Sequence, residues 1–286
     1  MKRIYRTPEG ERLVRERYLM FLKYWPVPHQ EMRIPTSQGE TFVIASGEEG
    51  APPLLLLHGG AANNAMWMGD VRTFASRFRV YAVDLIGEPG LSAPSRPPLA
   101  SDAYAVWLDE VLRGLSVDRA ALAGVSLGGW LALDYAIRRP ERVERLAVLG
   151  PGGIGRQKVG IVFATLVLRL CGGWGKRKLR ERILGRWPAD PPPAVKAFLD
   201  FVTLIYLHFR PRMVKLPVFS NEALRRLTIP VLAIVGGRDA LLDSAQTKKR
   251  LERYVPKAEV VDLPEAGHWI PGQTGKVMEF LLRALA

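Results

Sequence analysis

Ala121-Leu122-Ala123-Gly124-Val125-Ser126-Leu127-Gly128-Gly129-Trp130-Leu131-Ala132 joins a short apolar run to a helix-forming one through Gly-x-Ser-x-Gly. The pattern reads as a strand that turns sharply into a helix. Glycine on both flanks of the serine removes Cβ atoms that so tight a turn would bring into collision. The turn lifts the Ser126 hydroxyl clear of the sheet. It also sets the serine at a helix N-terminus, where free N–H groups favour negative charge. By itself Gly-x-Ser-x-Gly also makes ordinary turns, so its meaning depends on what else the chain carries.

A serine hydroxyl needs a base to take its proton, and the base needs a carboxylate to fix its tautomer. Both candidates lie downstream. Residues 228–235 are an apolar, β-branched run that reads as a buried strand, and it ends at Gly236-Gly237-Arg238-Asp239. Residues 259–263 read as another strand, followed by Ala266-Gly267-His268-Trp269. Asp239 stands 113 residues after Ser126, and His268 stands 29 after Asp239. The second gap fits one helix and one strand, which puts Asp239 and His268 at the same end of neighbouring strands. Histidine, with an ordinary pKa of ~6.5, suits a proton taken and returned near neutrality. Asp243 competes for the acid's role, but Asp239 follows the strand end directly.

A fourth element agrees. Pro53-Leu54-Leu55-Leu56-Leu57 is a fully apolar strand candidate, and His58-Gly59-Gly60-Ala61 follows it. A backbone N–H from such a loop, paired with that of Leu127, makes a two-donor oxyanion hole. Gly60 is the first choice for that donor and Ala61 the alternative. His58 reads as a structural brace of the loop.

Taken in order, His58-Gly59-Gly60, the loop from Asp84 to Ser92, Gly124-Val125-Ser126-Leu127-Gly128, Gly236-Gly237-Arg238-Asp239 and Gly267-His268-Trp269 resemble the α/β-hydrolase family over nearly the whole chain. The resemblance implies Ser126 as nucleophile, Asp239 as acid and His268 as base, the same roles that residue chemistry suggests. Asp84-Leu85-Ile86-Gly87-Glu88-Pro89-Gly90-Leu91-Ser92 departs from the family's Asp-x-x-Gly-His-Gly-x-Ser, with Glu88-Pro89 in place of one histidine. This reads as a loop variation with no chemical role. A serine nucleophile argues against the family's haloalkane dehalogenases and epoxide hydrolases, and the loop lacks the Gly-Gly-Pro-Gly of its proline iminopeptidases.

Strand candidates fall at 31–34, 41–45, 54–57, 79–83, 120–123, 143–149, 231–235 and 259–263. Helix candidates fall at 66–77, 102–115, 127–138, 244–254 and 273–285. The first two strands form a hairpin; the rest alternate with helices. The expected fold is α/β, a mostly parallel eight-stranded sheet covered on both faces. From 152 to 220 no strand appears, and helical patterns at 159–170, 176–184 and 194–209 read as an inserted cap. The division expected is an amphipathic N-terminal helix in 1–30, a core in 31–150 and 222–286, and a helical cap in 151–221. Within the N-terminal stretch, 8–25 reads as the helix, with Leu13, Tyr18, Met20, Phe21 and Tyr24 as its apolar positions. Two cap helices are unusually apolar. They either pack on one another or line an apolar substrate pocket with Phe163, Leu166, Phe198, Phe201 and Tyr206.

The 286 residues are enough for a large core. A single cysteine, Cys171, excludes an intramolecular disulfide, and residues 1–25 lack a signal-peptide pattern, so a cytoplasmic location is the simplest expectation. The net charge of +13 is concentrated: residues 151–226 hold 15 Lys and Arg against 4 Asp and Glu. The plain reading is a solvated helix face. A basic cap also suits peripheral contact with an anionic membrane surface, or steering of anionic substrates, and no nucleic-acid motif accompanies it. The reading that results is a serine hydrolase acting on a small-molecule ester of apolar character, with no cofactor and no metal. Hydrolysis of a carbon–carbon bond next to a ketone, and a non-catalytic binding protein on the same fold, are the alternatives.

Overall fold

The computed structural model describes residues 3–158, 172–185, 190–212 and 214–283. Strands β1 (His29–Ile34) and β2 (Thr41–Ser46) pair antiparallel, and β2 pairs antiparallel with β4 (Arg79–Val83). The strands β3 (Pro53–Leu57), β5 (Ala120–Val125), β6 (Val143–Leu149), β7 (Val231–Gly236) and β8 (Ala258–Leu263) continue in parallel, giving one eight-stranded sheet ordered β1-β2-β4-β3-β5-β6-β7-β8.

The leucine run of β3 shows why the central strands read as unbroken apolar stretches. Side chains alternate across a strand, and here both faces are covered. Leu55 and Leu57 enter one core cluster, whereas Leu54 and Leu56 enter the other. The first cluster takes side chains from α3 (Ala103–Gly114), α4 (Leu127–Arg138), α7 (Asn221–Arg225) and α8 (Ser244–Tyr254). The second takes them from α1 (Pro8–Leu22), α2 (Val71–Ala75), α6 (Pro193–His208) and α9 (Thr274–Leu282). Helix α5 spans Gly172–Leu184. Among the described residues no helix is long and apolar enough to cross a membrane.

Two helices differ from the sequence expectation. The one expected over 66–77 is a 3₁₀ turn, Asn64–Trp67, followed by the five-residue α2, with Met68, Gly69 and Asp70 between them. Helix α1 begins with Pro8 at its first position and the Thr7 hydroxyl accepting from the Gly10 N–H at 3.0 Å. Its inward face is Gly10, Val14, Tyr18 and Leu22, one residue per turn at i+4 spacing. Met20, expected on that face, is exposed because it lies about half a turn from Tyr18. Tyr24, expected there too, is exposed and lies beyond the helix, which ends at Leu22 rather than at residue 25.

Helix α6 packs on α1. The rings of Phe201 and Tyr18 stack, as do those of Phe201 and Phe21. The chain before α1 also pairs with the end of α6: Arg6 N–H donates to His208 O and Arg210 N–H to Ile4 O, each at 2.8 Å. Gly10 permits this crossing, since a Cβ there would meet the His208 side chain. The segment 159–170, with Phe163 and Leu166, lies outside the described residues.

Candidate active site

Ser126 sits between β5 and α4 with φ +51° and ψ −106°, a backbone conformation that non-glycine residues rarely adopt. Its neighbours explain how the turn is tolerated. A Cβ on Gly124 would lie 2.6 Å from Gly128 O, and one on Gly128 would collide with Leu57 O. The strained serine is held by its own N–H, which donates to Leu149 O at 3.0 Å, and by its carbonyl, which accepts from Trp130 N–H at 2.9 Å.

From this turn the hydroxyl reaches the loop after β8. Ser126 Oγ lies 2.9 Å from His268 Nε2, and His268 Nδ1 lies 2.8 Å from Asp239 Oδ2. An ionised Asp239 accepts from Nδ1–H, which leaves the Nε2 lone pair for the serine proton. Asp239 is buried, and its second oxygen accepts from the N–H groups of Leu241 at 2.7 Å and Leu242 at 3.0 Å. That carboxylate is therefore fixed on both oxygens. Lys158 Nζ donates to the Asp239 carbonyl at 2.7 Å, which adds a positive charge nearby. Asp243 has a different place: its Oδ1 caps α8 by accepting from Gln246 N–H at 2.9 Å.

Leu127 opens α4, so its N–H is one of those a helix leaves without an internal acceptor. Gly60 faces it closely enough that a Cβ on Gly60 would lie 3.7 Å from the Leu127 side chain. Ala61 is different. Its φ is +54°, and its N–H donates to Glu88 Oε2 at 2.7 Å. Of the two candidate donors in this loop, Ala61 is thus engaged within the protein. His58 is fully buried; Leu85 N–H donates to its Nε2 at 3.0 Å, which places the ring proton on Nδ1, 2.8 Å from Gly59 O. Burial pushes the His58 imidazole down to about 4, so it is neutral near pH 7.

Glu88 is the residue that sequence reasoning undervalued. Read as a plain loop variation, it is 1% exposed and bonded to the loop that carries Gly60. Burial pushes its carboxyl up to about 7, against the Ala61 N–H and the Arg96 and Arg212 charges. The only signal in the sequence is the replaced histidine, and it does not say which way the side chain turns. Asp84, in the same loop, is also fully buried and accepts from Tyr18 Oη at 2.9 Å, Asn64 N–H at 2.9 Å and Leu91 N–H at 2.8 Å. Burial still raises its carboxyl to about 6.

The expected pocket residues separate. Phe198 is half-buried, with its ring 6.2 Å from that of Trp269, the neighbour of His268. Phe201 is 1% exposed, and its ring is taken up by the contact with α1. Tyr206 is exposed on α6. Among the described residues no group of three or more His, Cys, Asp or Glu side chains is arranged to hold a metal ion.

Comparison with known proteins agrees with this fold. The sequence pattern of the Alpha/beta hydrolase family matches residues 54–279. The chain is 32% identical to an uncharacterized carboxylesterase, nap, of Bacillus subtilis (strain 168), over 86% of this chain and 83% of that protein. It is equally identical to the carboxylesterase YbfK of the same organism, over 88% and 86%. The crystal structure of naproxen esterase from Bacillus subtilis superposes with a TM-score of 0.79 at 30% identity, covering 95% of this chain and 96% of that one. The chain belongs to the alpha/beta hydrolase family.

Proposed function

We propose that this protein hydrolyses carboxylic esters of apolar character through an acyl-enzyme, with Ser126 as nucleophile, His268 as base and Asp239 as the acid that orients it. The observation that carries the reading is the continuous chain Asp239–His268–Ser126, with contacts of 2.8 and 2.9 Å, ending at a strained serine. His268 Nε2 takes the hydroxyl proton as Oγ attacks the ester carbonyl. The N–H groups of Leu127 and Gly60 receive the oxyanion. His268 then gives the proton to the departing alcohol, and water repeats the sequence to release the acid. Similarity to proteins named carboxylesterases favours an ester over a carbon–carbon bond as the group cleaved.

In this reading α5, α6 and α1 cap the site, and Phe198 beside Trp269 supplies part of an apolar acyl pocket. The test is Ser126→Ala assayed with p-nitrophenyl esters and a fluorophosphonate label, with circular dichroism as the control for folding. Turnover and labelling should both vanish in a folded protein. Labelling that persists would assign the nucleophile elsewhere.

A further inference from the structure

The donor expected to come from Gly60 lies in a peptide that must point one way, in a loop of two consecutive glycines that have little preference of their own. Something outside must aim it. Two residues hold this loop, one on each side of Gly60, and both are tied to the segment 84–92: Glu88 belongs to it, and His58 accepts from Leu85 N–H. On one side, His58 Nδ1–H donates to Gly59 O, the carbonyl of the very peptide whose N–H is that of Gly60. A trans peptide points its C=O and N–H in opposite directions, so fixing one aims the other. On the other side, Glu88 Oε2 accepts from Ala61 N–H and fixes the next peptide plane. Without that bond, nothing local favours φ +54° at an alanine.

Glu88 is itself rigidly placed. Its N–H donates to Leu85 O at 3.2 Å, and its carbonyl accepts from Gly90 N–H at 2.8 Å. Pro89 O accepts from Asn63 Nδ2 at 2.9 Å, which ties the segment back to the chain just beyond Ala61. Arg96 Nε donates to Gly87 O at 2.9 Å and brings a guanidinium near the carboxylate. Keeping a carboxylate this buried is costly, and its Oε1 has no partner among the described residues. A carboxylate is a stronger acceptor for a backbone N–H than a neutral group.

We infer that Glu88 is a positioning residue of the oxyanion hole: by holding Ala61 N–H it fixes the loop conformation that aims Gly60 N–H at the developing oxyanion. The inference rests on the proposed ester hydrolysis. It also assigns Ala61 N–H a structural bond, so that the hole has Gly60 and Leu127 as its donors.

The experiment compares Glu88→Met, which fills a similar volume without an acceptor, with Glu88→Gln, which keeps one. Each is assayed on a short p-nitrophenyl ester, with active sites counted by fluorophosphonate labelling so that any unfolded fraction drops out. Removing an oxyanion donor outright costs about 10²–10³ in kcat, so misaiming one should cost roughly tenfold to a hundredfold. Glu88→Met should therefore lower kcat by that factor with KM nearly unchanged. Its affinity for a trifluoromethyl ketone, which forms an oxyanion on Ser126, should fall by the same factor as kcat/KM. Glu88→Gln should stay within about threefold of the unaltered protein. Equal losses in both variants, a loss confined to KM, or an unchanged affinity for the ketone would each overturn the inference while the triad reading stands. An unaltered protein that neither turns over the ester nor takes the label would overturn both.

Discussion

The segments 58–64 and 84–92 contrast sharply with α1 and the stretch from 172 to 218. The first pair, buried except at residues 60–62, is bound by directional hydrogen bonds from His58, Asp84, Glu88, Asn63 and Asn64. The second region, with Tyr24 just after α1, carries every exposed large apolar side chain among the described residues, including Met20, Trp174 and Leu207. Helices α1 and α6 meet through ring-on-ring packing, as between Phe21, Phe198 and Phe201. Hydrogen bonds fix direction, whereas apolar packing tolerates changes of shape so long as volume is kept. In the proposed reading the first region aims atoms at the reaction, and the second accepts substrates that differ in size.

The largest effect should appear where direction matters most. Asp239→Asn is expected to lower kcat by on the order of 10⁴, because the amide no longer imposes the productive tautomer on His268. Asp243→Asn should leave kcat near its starting value, since Asp243 caps α8 and asparagine caps nearly as well. Steady-state kinetics of the two variants decides it; comparable losses would mean that the 2.8 Å contact between Asp239 and His268 does not define the acid.

A smaller effect belongs to the apolar region. As acyl chains lengthen from two carbons to about six or eight, kcat/KM should rise well above tenfold, given ~0.8 kcal/mol for each buried CH₂. Phe198→Ser should flatten that rise and leave acetyl ester turnover largely intact. If acetyl esters are already the best substrates and Phe198→Ser changes nothing, α6 packs on α1 without serving the substrate.

The smallest effect is on stability. Glu88 has its folded pKa raised from 4.5 to about 7, so the native state binds its proton more tightly than the unfolded chain does. That contribution is fully present below the unfolded value and is lost as pH rises toward 7. Glu88→Gln lacks this slope. Its Tm relative to the unaltered protein should therefore increase between pH 5 and pH 8, by about 2–4 °C for a chain of this size. A difference in Tm that does not change with pH would mean that Glu88 keeps an ordinary pKa in the fold.

How much was legible in the sequence follows the range over which each feature is determined. All eight strands lie within a residue or two of where the sequence places them. The central ones, such as β3, β5 and β7, are unbroken apolar runs because both faces of the parallel sheet are buried there, whereas the edge strand β1 is mostly exposed. The turn at Ser126 was legible because the steric limit on Gly124 acts within a few residues, against Gly128 O, although that on Gly128 acts against Leu57 O at the end of the neighbouring strand. Asp239 and His268 could be picked out because chain order and strand ends restrict where partners can stand. The facing of α1 departs from the expectation at Met20, since which side of a helix is covered depends on what lands on it. Here that is α6, nearly 200 residues away in sequence.

By itself, then, the sequence determined the sheet, through its apolar runs, the place of the serine turn, through its flanking glycines, and the order of the three residues brought together there, through chain order and strand ends. Only the tertiary structure decided that Ala61 N–H is occupied and Gly60 is left to face Leu127, that Glu88 turns inward, and that Asp243 caps a helix. Each of these depends on how separate segments meet, and a side chain's partner across a loop is set by distance and direction in space, which no spacing along the chain encodes.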